Sequence, residues 1–228
     1  MRIERETLLS GATAARGLTV IIDAFRAFTT ACHVASSAPA SYVLVGNSLT
    51  AARLVGTSSR PLLVGKPEPG ASLAYDVPNS PTRLTEYQLR ERTIIHRTGA
   101  GARGILRATR ADEVLVAGFV NVAAVARYIR LHDPAVVTLV AMGHEGTTSS
   151  LEDELCAEAI DAALSGEAFD LASWLAPLRE GPGRYFFADT QDEYPRADFE
   201  RCTELDRFSF VLRAELRGDY AELHRIDC

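Results

Sequence analysis

Between Leu18 and Leu164, short apolar runs take turns with segments of helical periodicity. This alternation restricts the possible folds more than any other feature of the chain. The runs Leu18–Ile22 (LTVII), Ser41–Val45 (SYVLV), Pro61–Val64, Thr93–His96 (TIIH), Val114–Ala117 (VLVA) and Val136–Ala141 (VVTLVA) are rich in β-branched residues. Continuous apolar runs of this length read as strands buried on both faces. Helices are expected over Ala27–Ser37, Thr50–Leu54, Asn121–Leu131 and Leu151–Leu164. The third carries Val122, Val125, Ala126 and Ile129 on one face. Strands buried on both faces and alternating with helices predict an α/β fold, with a mainly parallel or mixed sheet and flanking helices.

The 228 residues suffice to bury a core without staples, and they read as one domain over 1–228, with room for two α/β lobes meeting near 105–115. No internal repeat is visible. The stretch Gly65–Pro81 (GKPEPGASLAYDVPNSP) carries four prolines and two glycines and reads as a long irregular loop. From Phe169 the chain turns acidic and aromatic, with a helix expected around Asp198–Leu205 and a strand pair around Phe208–Leu223.

Composition narrows function as well as fold. Hydrophobic residues make up 47% and charged residues 24%, which excludes global disorder. A formal net charge of −6 gives no basic field for nucleic acid or anionic lipid, so neither is expected as a partner. Lys66 is the only lysine among 24 basic residues, and the arginines supply planar, bidentate donors for oxyanions. Cys32, Cys156, Cys202 and Cys228 are scattered without zinc spacing. The charged start MRIERETLLSG has no apolar signal region, and no apolar run reaches membrane-spanning length. A cytoplasmic protein is expected.

Four places carry candidate chemistry. In Val20–Thr30, an apolar strand ends at Asp23, with Arg26, Thr29 and Thr30 where a helix should begin. Ligands gather at the carboxyl ends of such strands, and helix N-termini offer free N–H groups to phosphate. Asp23 suits Mg²⁺, Arg26 suits an anion, and a threonine can donate its hydroxyl. Equally, Asp23 could cap the helix and pair with Arg26. Asp76–Pro81 sets Asn79 and Ser80 between prolines, which on its own reads as an ordinary surface turn. Thr93–Gly104 runs a strand into GAGARG, whose Gly99 and Gly101 would let backbone N–H groups approach an anion. The alternative there is a tight turn that needs glycine. A dinucleotide site would also require an acid closing the next strand, and VLVAGF ends without one. Gly143–Asp153 follows the last central strand. Ser149 or Ser150 would cap the next helix, with Glu152 and Asp153 in its first turn. Those carboxylates read either as helix-dipole partners or as a metal ligand or general base. No GxSxG, HExxH or P-loop motif occurs, and His96 and His144 are the only histidines beside glycine-rich segments.

Taken in order, these segments resemble the 2-phosphosulfolactate phosphatase family. Val20-Ile-Ile-Asp-Ala-Phe-Arg-Ala-Phe-Thr-Thr30 is close to the family's V-I-D-x-x-R-A-T-T-T signature. Asn79-Ser80-Pro81 matches N-S-P, and Asn121–Ala126 matches N-x-x-A-V-A. Gly143–Asp153 with Cys156-Ala157 matches G-x-x-G…S-L-E-D and C-A-G, and Leu205–Phe210 matches L-D-R-F-x-F. The resemblance covers nearly the whole chain. It implies a family-specific α/β phosphatase fold and Mg²⁺-dependent hydrolysis of the phosphate ester of a small, highly anionic 2-hydroxy acid. On that reading Asp23, Glu152 and Asp153 hold the metal and activate water. Arg26, Thr29, Thr30, Thr98, Gly99 and Gly101 hold the phosphoryl group, together with Gly143. Asn79, Ser80 and Asn121 orient the rest of the substrate. A homodimer stays open. So does an aspartyl-phosphate route through Asp23, although Phe25 stands where a DxD pattern needs its second aspartate.

Two segments depart from the family pattern. His96-Arg-Thr-Gly-Ala-Gly-Ala102 stands where the family has T-T-N-G-T-x-A, so that Thr98 and Gly99 replace its Thr and Asn, and Gly65-Lys66-Pro stands for G-E-R, with Glu68 displaced. A diverged, non-catalytic anion-binding protein is therefore the alternative from another class. A nucleotide-binding oxidoreductase working through GAGARG ranks third.

Overall fold

In the computed structural model, which describes residues 1–189 and 191–228, each of the six apolar runs is a strand. The chain order is β1 (Arg2–Thr7), α1 (Leu8–Ala14), β2 (Gly17–Ile22), α2 (Ala27–Ser36), β3 (Ser41–Val45), α3 (Ser48–Thr57), β4 (Pro61–Val64), β5 (Thr93–Arg97) and α4 (Ala100–Arg107). There follow β6 (Ala111–Ala117), α5 (Val122–His132), β7 (Val136–Ala141), α6 (Leu151–Ser165), α7 (Leu175–Glu180), α8 (Arg196–Cys202), β8 (Phe210–Arg217) and β9 (Tyr220–Asp227). Short 3-10 turns precede α5 at Phe119–Asn121 and flank α7 at Leu171–Trp174 and Pro182–Phe187.

The nine strands of the described residues form one mixed sheet, in the order β1-β7-β2-β6-β8-β9-β3-β5-β4. Parallel pairing builds one set from β1, β7, β2 and β6, and a second from β3, β5 and β4. The antiparallel hairpin β8–β9 joins them through three antiparallel pairings, so the two sets run in opposite directions. The α/β expectation holds, with the sheet mixed. The late strand pair begins and ends a few residues beyond the expected Phe208–Leu223.

One face of the sheet carries Ile21, Leu44, Ile94, Val116, Val140 and Leu212, packed under α1, α2 and α4 through Ala12, Phe28 and Ile105. The other face is covered in two pieces. Over the first parallel set, α5 and α6 bury Val20, Ile22, Leu115 and Leu139. Over the second, α3 buries Val43, Val45 and Ile95. The hairpin between these covers turns a charged row outward, where Glu215, Glu222 and His224 sit with Arg217.

Two elements escape the sequence pattern. β1 pairs on one side only, with β7, and its RIERET sequence carries charges on an edge strand. The GAGARG segment is not a free glycine loop. Gly99 caps α4, and Gly101 and Gly104 lie inside that helix, buried against the sheet. A Cβ at Gly104 would lie 2.5 Å from the Met142 sulfur and 3.1 Å from Ile21, so glycine lets α4 sit close to β2 and β7.

Candidate active site

The four segments singled out in the sequence meet at the carboxyl end of β2. Asp23 follows that strand directly. Its Oδ2 accepts the Gly101 N–H of α4 at 2.9 Å, and its Oδ1 accepts the Ala27 N–H at 3.4 Å. It therefore caps α2 weakly and also ties α2 to the start of α4. Asp153, in the first turn of α6, accepts the Ala24 N–H on Oδ1 and the Gly143 N–H on Oδ2, both at 2.8 Å. It clamps the segment after β2 to the segment after β7. Gly143 is fitted for this by a left-handed φ of +64°. Glu152 lies beside it, buried, and its Oε2 has no hydrogen-bond partner among the described residues.

These carboxylates are 8% (Asp23), 7% (Glu152) and 2% (Asp153) exposed, and the exposure decides their chemistry. Burial pushes Asp23 up to about 6, against the pull of the Gly101 and Ala27 amides, and the Glu145 charge adds to the rise. Burial, with the Asp23 and Glu154 charges behind it, pushes Glu152 up to about 7. Asp153 rises well above the carboxylate range, through burial first and then through Glu152 and Asp23.

Arg26 does not pair with Asp23. Its Nη1 donates to Asp198 Oδ2 at 2.7 Å and to the Glu193 carbonyl at 2.8 Å, with the guanidinium 4.5 Å from the Tyr194 ring centroid. Asp198 is fully buried in α8, and its Oδ1 accepts Ser80 Oγ at 2.9 Å and the Thr82 N–H at 3.0 Å. The Asn79–Ser80 turn is thus held against Arg26 through one carboxylate. Asn79 in turn meets His96 on β5, with Oδ1 and Nε2 3.1 Å apart.

The other expected residues are placed as follows. Thr29 donates to the Ala24 carbonyl at 3.0 Å, whereas the buried Thr30 hydroxyl has no partner among the described residues. Thr98 Oγ1 accepts the Ala102 N–H at 2.7 Å and so caps α4. Gly99 makes room for Glu145, since a Cβ there would lie 2.8 Å from its carboxylate. Ser150 precedes α6, but its side chain makes no capping bond. Asn121 is fully buried and spends its amide on its own turn. Its Oδ1 accepts the Gly118 N–H at 3.1 Å, and its Nδ2 donates to the Val116 carbonyl at 3.3 Å. Sequence reasoning missed Asp198 and Glu145. Asp198 is a buried acid in an otherwise acidic stretch and leaves no periodic signal, whereas Glu145 is an exposed acid in a glycine turn whose approach to Gly99 is set by the fold.

A divalent cation fits this donor set. Glu152 keeps a buried oxygen without a partner among the described residues, the Asp23 and Glu154 charges act on it, and the Arg26 charge is already balanced by Asp198. The three carboxylates do not gather as a direct chelating trio. Among the described residues, only Glu215, Glu222 and His224 bring three donor atoms within 4.8 Å of one another, and Arg217 pairs with both of those glutamates. Mg²⁺ keeps several waters and takes one or two protein carboxylates, so no trio is required of it.

The family model for 2-phosphosulpholactate phosphatase matches residues 4–178. A probable 2-phosphosulfolactate phosphatase of Synechococcus sp. (strain JA-3-3Ab) is 36% identical over 212 residues, covering 84% of this chain and 86% of the relative. One from Gloeobacter violaceus is 35% identical over 161 residues, 70% of this chain and 68% of the relative. The Bacillus subtilis (strain 168) protein of the same description is 24% identical across 92% of both chains.

Proposed function

Since the chain belongs to the 2-phosphosulfolactate phosphatase family, we propose that it is a Mg²⁺-dependent phosphomonoesterase acting on 2-phosphosulfolactate or a similarly anionic 2-phospho acid. The observation that carries the metal-dependent part is the buried acid group at the end of β2. Asp23, Glu152 and Asp153 are buried near one another with no ion-pair partner among the described residues, while the positive charge of Arg26 is balanced by Asp198.

Asp23 and Glu152 would hold the ion, with Asp153 completing the charge and fixing the two loops. When bound, Mg²⁺ supplies charge stabilisation at a phosphoryl group. The chain's own residues do the rest. Arg26 uses only Nη1 within the protein among the described residues, which leaves the rest of its guanidinium for phosphate oxygens. Thr30 brings a buried hydroxyl with no internal partner, suited to donate to the same group. Thr98, the Gly99 cap and the Gly101 N–H act indirectly. They fix α4, and α4 fixes Asp23. Such preorganised donors, fixed before substrate arrives, provide much of the rate in phosphoryl transfer. The four cysteines are free thiols, which supports a reducing cytoplasm as the setting. No helix among the described residues is long and apolar enough to cross a membrane.

The test is phosphate release from 2-phosphosulfolactate, 2-phospholactate and related esters, with Mg²⁺ and with EDTA. Turnover should require the metal. Asp23→Ala should lower kcat/KM by at least about 10³-fold with the circular dichroism unchanged. Metal-independent turnover, or an active Asp23→Ala enzyme, would remove the acid group from the reaction.

A further inference from the structure

Behind the Asn79 turn lies a chain of buried polar groups that the family motifs do not account for. β3 and β5 are parallel neighbours, and they place Tyr42 beside His96 with the rings nearly parallel, 6.1 Å between centroids. Tyr42 Oη lies 2.7 Å from His96 Nδ1, and His96 Nε2 lies 3.1 Å from Asn79 Oδ1. His96 is fully buried, and burial pushes it down to about 3, so the ring is neutral. A neutral imidazole has one N–H and one bare nitrogen.

The direction of the chain follows from proton accounting. Among the described residues, the Tyr42 hydroxyl has no acceptor other than His96 Nδ1. Were Nδ1 protonated, the phenol proton would be stranded in the core, which is the costly arrangement. The phenol therefore donates to Nδ1, the ring proton sits on Nε2, and Nε2–H donates to Asn79 Oδ1. With its oxygen committed, Asn79 has only its Nδ2 donors to offer, and Nδ2 bonds to nothing else among the described residues. The next residue, Ser80, is tied through Asp198 to Arg26.

We propose that Tyr42 and His96 are positioning residues, which turn the Asn79 amide so that its N–H donors face an acceptor oxygen of the substrate beside Arg26. The proposal rests on the phosphatase reading. A donor-only edge favours substrates with a carboxylate or sulfonate oxygen at that point, and it fails an analogue lacking one.

The experiment combines a mutant cycle with nitrogen NMR of the histidine rings. Tyr42→Phe and Asn79→Ala should each raise KM for 2-phosphosulfolactate about tenfold with kcat within about twofold, as loss of a binding contact requires. The double variant should be no worse than Asn79→Ala alone. His96→Gln, whose amide can still donate to Asn79, should stay near wild type, whereas His96→Leu should match Asn79→Ala. Multiplying effects in the double variant, or His96→Gln no better than His96→Leu, would overturn the proposal. If the unsubstituted enzyme turns over no ester, the phosphatase reading falls separately. The ring nitrogens still decide the hydrogen-bond direction. Nε2–H in the wild type, with both tautomers in Tyr42→Phe, supports it, and Nδ1–H in the wild type sinks it.

Discussion

At the residue scale, the acid group is a stability cost held in place by the fold. Glu152 is 7% exposed, and its raised pKa of about 7 means that the folded protein binds a proton more tightly there than the unfolded chain does. The same holds for Asp23 at about 6. Stability from both groups is therefore fully present below the ordinary carboxylate range and is lost as pH rises through about 6 to 7. Glu152→Gln removes the titration and keeps the shape. It should be more stable than the wild type at pH 8 by about 1–3 kcal/mol, with little difference at pH 5. Urea melts at the two pH values read this directly. Mg²⁺ should close the gap by stabilising the wild type at pH 8, and Glu152→Gln should lose most of that response. A variant less stable than the wild type at pH 8 would mean that Glu152 is already paired within the protein. Gaining stability while losing activity is the trade expected where charge is buried for function.

At the element scale, α4 shows how glycine spacing and site geometry are linked. A Cβ on Gly101 would lie 2.7 Å from the Phe28 ring and 3.0 Å from Asp23 Oδ2. Gly101→Ala should therefore push Asp23 out of place, lowering kcat/KM at least about tenfold and stability by about 1–3 kcal/mol. Gly56→Ala, on α3 with nothing within 4 Å, is the control and should be neutral or stabilising. If both variants behave alike, the close approach at Gly101 has no catalytic consequence. The same helix marks the limit of the sequence reading. The apolar runs in β2 to β7 were legible because burial on both faces leaves an unbroken β-branched signature. By its composition GAGARG resembles a glycine turn, since glycine is a poor helix former, and the packing of α4 against Met142 and Ile21 overrides that preference. The individual motifs were legible too, including Asp23, Asn79–Ser80 and Glu152–Asp153. The bonds between them were not. Ser80 and Asp198 are 118 residues apart, and Tyr42 and His96 are 54 apart, and no local pattern encodes a side-chain contact at such range.

At the scale of the whole molecule, the site depends on the sheet being continuous. Asp23, Gly143 and Asp153 come from the set containing β2 and β7, whereas His96 and the Asn79 turn come from the set containing β5 and β4. The hairpin β8–β9 holds the sets side by side, pairing with β6 on one flank and with β3 on the other. Its inner face is apolar through Leu212, Ala214, Ala221 and Leu223, all within one core cluster that runs under both sets. A single core spanning both sets should unfold as one unit, not as two lobes separating near 105–115. Leu212 is fully buried, and Leu212→Ala should cost about 2–5 kcal/mol. Native-state hydrogen exchange shows where that cost falls. The slowest amides of β2 and β7 and those of β3 and β5 should lose the same protection, because each exchanges only when the shared core opens. Loss confined to one set would mean that the halves open independently. The acid group and the Asn79 turn would then belong to separately folding units, brought together only while the hairpin is closed.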